Sequence, residues 1–277
     1  MPAKTVTPPQ SAPQPDPQPA AQSAPLPGAR HGRDPERAIK RGPSRVPPEQ
    51  VAATQRDRLF DGLVHTVAEH GYADAAVTDI CRAAGVTRPA FYVLFDGKQD
   101  AFLATYRHGT DVVFRMMEHA YEQQEGWREG TLAGLRVLLD VLASVPAFAR
   151  MAIVEIEAVG PAAWEQRAHF LRRFGRFFDD APAPLGLADP QLAAPLVDML
   201  VGGVYSAIYR HVAAGRAAQL PELLPALAHF LLVPFLGPQS AGTELSGPRR
   251  GPAPGESLER AIAPCLPQAA KIDEEGP

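Results

Sequence analysis

Two short helical patterns set apart by one glycine constrain this chain more than any other feature. Val77, Ile80, Cys81 and Ala84 fall at +3, +4 and +7, one face of a 3.6-residue period, and Gly85 can adopt the left-handed conformation that closes a helix. Thr87 then offers an N-cap and Pro89 sits in a first turn where its missing N–H costs nothing, which predicts a helix from Arg88 to about Phe95, ended by Asp96-Gly97. Before this pair, Phe60, Leu63, Val64, Val67 and Ala68 make one apolar face of a helix that begins near Pro48 and stops at Gly71. A longer helix is predicted from Lys98 to Glu122, burying Phe102, Tyr106, Val113, Met117 and Tyr121. A small residue where the paired helices cross (Cys81), a glycine at the turn (Gly85) and an apolar plug (Phe91) are what a helix-turn-helix needs, although the triplet alone is only moderately specific.

No period-2 segment appears downstream. Turn signals at Glu125-Gly126, Val145-Pro146, Gly160-Pro161, the Pro-rich stretch 181–190 and Ala214-Gly215 delimit helices near 127–144, 147–158, 162–179, 191–214 and 221–236. Pro225 falls inside the last and is expected to shorten or kink it. The reading is an all-α chain: a three-helix helix-turn-helix domain over 48–97, a helical domain over 98–236, and tails at 1–47 and 237–277. Of the 30 prolines, 13 lie within residues 1–48, so the first tail is expected to be disordered, and the Gly/Pro-rich second tail likewise, apart from a turn of helix near Glu256–Ile262.

Charge separates the same regions. The net charge is −4, yet residues 1–48 carry +4, with Arg30, Arg33, Arg37, Lys40, Arg41 and Arg45 close together, while residues 49–100 carry −3. A basic arm and a solvated linker without a partner both fit that charge. Cys81 and Cys265 are too few for a disulfide framework or a cysteine zinc site. Neither a leader nor a membrane span is read from the sequence, and a cytoplasmic protein is expected. Eight histidines form no HExxH pair, and no phosphate loop or GxSxG elbow occurs. Glu155 and Glu157, two apart, share no helix face. No enzyme, metal or cofactor is expected.

Residues 56–103 resemble the N-terminal domain of TetR-family transcriptional regulators at Gly71-Tyr72, Val77, Ile80, Ala84-Gly85-Val86, Thr87-Arg88, Phe91-Tyr92, Phe95 and Lys98. Segments 146–161 and 200–227 are similar to the ligand-binding and dimerisation domain of actinobacterial members, so the resemblance covers most of 48–236 and neither tail. It implies a homodimeric regulator that binds a near-palindromic double-stranded operator and acts as a repressor released by a small-molecule effector. In the recognition helix, Arg88 would read a guanine edge, Thr87 bond a base or phosphate, and Pro89 make an apolar contact. Tyr92 and Lys98 would reach phosphates, with Lys40, Arg41 and Arg45 of the arm adding attraction.

The sequence departs from the family pattern at Ala76, Ala90, Leu94 and Gln99, removing the usual helix cap and two phosphate contacts. These departures motivate the alternative of a helical small-molecule-binding protein with weak or lost DNA binding. The resemblance also implies an effector pocket, for which Phe114, Met117, Tyr121, Trp164, Phe174, Tyr205 and Tyr209 are candidates with Arg173 as a polar fixture; the same residues serve equally well as plain core. Leu192, Leu196, Leu200, Val204 and Ile208 recur at helical spacing beside Gly202-Gly203, and the family implies homodimerisation through the helices near 191–214 and 221–236.

Overall fold

The computed structural model describes residues 25–33, 37, 47–187 and 189–242, and within them the regular structure is helical. Helix α1 (Pro48–Asp74) takes Pro48 in its first turn, buries Leu59, Phe60, Leu63, Val64 and Val67, and breaks at Gly71, where φ is 79° and ψ 159°. Helices α2 (Val77–Ala84) and α3 (Arg88–Leu94) lie across it. Gly85 ends α2 with φ 61° and ψ 35°, and the Val86 N–H returns to the Cys81 carbonyl at 3.0 Å, which turns the chain in two residues. Thr87 caps α3, its hydroxyl oxygen accepting the Ala90 N–H at 3.4 Å, and the fully buried Phe91 packs its ring near Phe95.

Helix α4 (Lys98–Glu122) leaves this domain and pairs with α5 (Trp127–Ser144). Then come α6 (Pro146–Ile153) with a 3₁₀ turn at Glu155–Ala158, α7 (Pro161–Arg173) with a 3₁₀ turn at Phe174–Phe178, and α8 (Ala193–Ala213). A 3₁₀ stretch at Ala217–Leu223 leads into α9 (Leu224–Gly242). The periods expected at 147–158 and 162–179 thus each end in tighter 3₁₀ turns. Because α9 starts at Leu224, Pro225 stands in a first turn and makes no kink; the break comes at Gly237, with φ 77°. Ala217–Gln239 is long and apolar enough to cross a membrane, but it carries Pro221, Pro225 and Pro234 and packs on α5, burying Leu220, Leu227, Leu231 and Phe235.

Within the segment 1–47, residues 25–33 differ from the expected absence of packed structure. Leu26 is 4% exposed and belongs to the core, and the Gly28 N–H donates to Asp61 Oδ1 at 2.8 Å. Polar side chains on α1 supply the partners that a Pro-rich segment cannot supply for itself. Lys40, Arg41, Arg45 and the residues beyond 242 lie outside the described residues.

Candidate nucleic-acid interface and effector cavity

Burial of Phe91 decides which way α3 faces. With that ring inside, the opposite side of the helix presents Arg88, Pro89, Tyr92 and Val93, all exposed, Tyr92 at 50% and Val93 at 83%. Val93 is a β-branched apolar side chain left in solvent on a helix that otherwise buries its apolar face. Val93 was not among the residues read from the sequence, although it follows Pro89 by four and so shares its face. Thr87 is also exposed, with its oxygen engaged in the cap.

Lys98 behaves differently from its expected reach to phosphate. Its Nζ donates to the carbonyls of Tyr72 at 2.7 Å and Ala73 at 3.2 Å, and it lies 4.4 Å from the centre of the Tyr72 ring. The break at Gly71 leaves carbonyls at the end of α1 that need donors, and the first turn of α4 provides one. Ala76 at the N-cap of α2 makes no side-chain cap, and Asp79 instead pairs with Arg82 at 2.6 Å.

The second domain encloses an apolar cavity of about 90 Å³ between α4, α5, α6, α7 and α8. Met117, Phe174 and Tyr205 of the expected set stand on its wall, with Val113, Leu138 and Phe170 beside them. The other five do not line it. Phe114 is buried beneath the Arg173 guanidinium, 4.1 Å from its ring, and Arg173 pairs with Asp111 at 2.5 Å. The Tyr121 hydroxyl donates to Asp180 at 3.3 Å, Trp164 is 46% exposed with its indole N–H on the Glu157 carbonyl, and Tyr209 is half-buried off the wall. Ring size identified the aromatic layer but not which of its members face the void.

Among the described residues no charged side chain lines this cavity, and its polar atoms are few. The Thr110 hydroxyl donates to the Tyr106 carbonyl at 2.7 Å and the Tyr205 hydroxyl to the Ile153 carbonyl at 3.2 Å, whereas Thr131 Oγ1 is buried without a partner. Burial raises the Tyr106 and Tyr205 hydroxyls above the ordinary tyrosine range, the neighbouring Arg167 pulling both the other way.

One connection runs from this wall to the helix-turn-helix domain. Beyond Ile153, whose carbonyl Tyr205 holds, the buried carboxylate of Glu155 accepts the Tyr72 N–H at 2.9 Å and pairs with Arg150 at 2.9 Å. Tyr72 is also the residue whose carbonyl Lys98 holds. The end of α1 is therefore clamped from α4 and from the turn after α6.

Residues 59–105 match the family described as bacterial regulatory proteins, tetR family. Among solved structures, the chain is similar to the fatty acid degradation regulator FadR from Bacillus halodurans, with a TM-score of 0.57 and 18% identity over 71% of this chain and 97% of that one. It is also similar to the transcriptional regulator FadR from Bacillus subtilis in complex with stearoyl-CoA, with a TM-score of 0.54 and 18% identity over 65% of this chain and 97% of the other. At that identity the likeness is one of fold. No curated protein matches the chain in sequence.

Proposed function

From the match of residues 59–105 to the tetR family of bacterial regulatory proteins, we propose that the chain is a dimeric repressor of that family whose α3 reads an operator half-site and which an apolar effector releases. The observation that carries the DNA-reading role is the face of α3: Phe91 is inside, and Arg88, Pro89, Tyr92 and Val93 are outside together. Seven residues of helix read too few base pairs for a genomic address, so two copies are required. Leu192, Met199 and Phe230, exposed at 50%, 66% and 44%, supply an apolar surface on and just before α8 and on α9 for that pairing.

The effector is an elongated apolar molecule of the acyl-chain kind. Supporting this are the cavity wall without charges and the unpartnered Thr131 hydroxyl, which suits a single hydrogen-bonding group on the guest. At about 90 Å³ the cavity is well below a drug-sized site of about 300–1,000 Å³, so occupancy must part its walls. Moving α6 then shifts Glu155 and, with it, the end of α1. Stearoyl-CoA, present in the Bacillus subtilis neighbour, is a suitable first probe. Selection of bound duplexes from random DNA by the full chain is expected to enrich a near-palindromic sequence; absence of any enrichment contradicts the reading.

A further inference from the structure

Residues 25–33 cross the helix-turn-helix domain as a strap, held at both ends and along its length. The Pro25 carbonyl lies 3.4 Å from His108 Nε2 on α4, and Leu26 enters the core. Gly28 adopts φ 84°, donates to Asp61, and lies so close to α1 that a Cβ there would stand 2.4 Å from Val64 Cγ1. Arg58 donates from Nε to the Gly32 carbonyl at 2.7 Å and from Nη2 to the Gly85 carbonyl at 3.2 Å, tying strap and helix-turn-helix turn to one guanidinium. A Cβ on Gly32 would stand 2.8 Å from Ala84 Cα. Arg37 closes the far end on Asp61 at 2.5 Å. Two charges buried on the face of α1, Arg58 and Asp61, thus have the strap as their common partner.

The strap sets a row of cations beside the reading helix. Its exposed Arg33 lies against Gly85, its Cγ 3.3 Å from where a Cβ would stand, two residues before the cap of α3. Between strap, α1 and α2 is a surface depression whose wall includes Arg30, His31, Arg33 and His65, with the two imidazoles stacked at 5.0 Å and no acid in the lining. The rest of this domain is poor in such groups, since residues 49–100 are net −3, Ala76 offers no hydroxyl to a phosphate, and Lys98 is turned inward.

We propose that this depression seats a backbone phosphate of the operator, with Arg33 as its principal cation, so that the strap supplies the positioning contact which α2 and α4 do not. Phosphate contacts set register without reading sequence, whereas α3 reads bases. The proposal rests on the DNA-binding reading above. A free phosphate ion would satisfy the same groups; only a duplex also engages α3.

The test uses the full chain, Arg33→Gln, Arg33→Lys, Arg88→Ala and a random-sequence duplex titrated at about 50 to about 200 mM salt. Arg33→Gln is expected to make the slope of log K against log salt shallower by about 0.9 per chain. Arg33→Lys should restore the slope, and the melting temperature should hold in both because Arg33 is exposed. An unchanged slope in Arg33→Gln, while Arg88→Ala still loses base preference on the selected operator, overturns the phosphate seat and leaves the DNA reading standing. If neither variant alters binding, both fall. Loss of inorganic phosphate binding in Arg33→Gln with no change on the duplex also overturns the proposal.

Discussion

Phe91 and Val93 are two positions apart on α3 and face opposite ways, one fully buried and the other 83% exposed, so their replacements separate stability from recognition. Phe91→Ala is expected to cost about 3–5 kcal/mol by opening a cavity under the helix. Val93→Ser should leave stability within about 0.5 kcal/mol while weakening operator binding; chemical denaturation and DNA titration of both variants check the split. Asp61 brings a pH dependence. Burial pushes its carboxyl above the ordinary 3.8, with the Arg37 and Gly28 hydrogen bonds pulling the other way without cancelling it. A raised folded value means that the native state holds this proton more tightly. Its contribution is therefore present below about pH 4 and is lost as pH rises through the folded value. Asp61→Asn is expected to flatten that part of the stability profile, and an unchanged profile contradicts the assignment. Neither Asp61 nor Arg58 is distinguishable in the sequence from a solvated charge on a helix, because the strap that makes them internal is 24 to 33 positions away.

At the scale of elements, the parts legible in the sequence are those decided within a few residues. Gly85, Thr87 and Pro89 fix the end of α2 and the start of α3 locally, and the structure places both boundaries there. Pro225 reads as interior to a helix in the sequence, whereas the start of α9 depends on the preceding 3₁₀ stretch rather than on apolar period. The hydrogen bond from Tyr72 to Glu155 spans 83 residues and leaves no local trace. That bond joins the cavity wall to the end of α1, so Glu155→Ala should leave DNA affinity without effector and acyl-probe affinity near wild type while shrinking the effector's effect on DNA binding. Coupling of the usual size, about 5–150-fold, would fall toward none. Titrating DNA binding with and without the acyl probe decides it; undiminished release in the variant contradicts the connection.

For the whole molecule, the account requires two chains whose α3 helices meet successive major grooves, about 34–36 Å apart. Met199→Asp with Phe230→Asp places charges on the exposed apolar surface of α8 and α9 and is expected to give a monomer by light scattering. A dimer that persists moves the interface elsewhere. The order of the helices is legible because each break between them carries a glycine or proline signal, whereas the five aromatic and arginine candidates off the cavity wall show that period finds buried faces without saying which touch a void. The central claim is that α3 reads bases through Arg88, and the most direct measurement is binding of the full chain and Arg88→Ala to single-base variants of the selected operator. The account expects Arg88→Ala to lose about 1–3 kcal/mol of discrimination at one position in each half-site and little elsewhere. Equal losses at every position would contradict it.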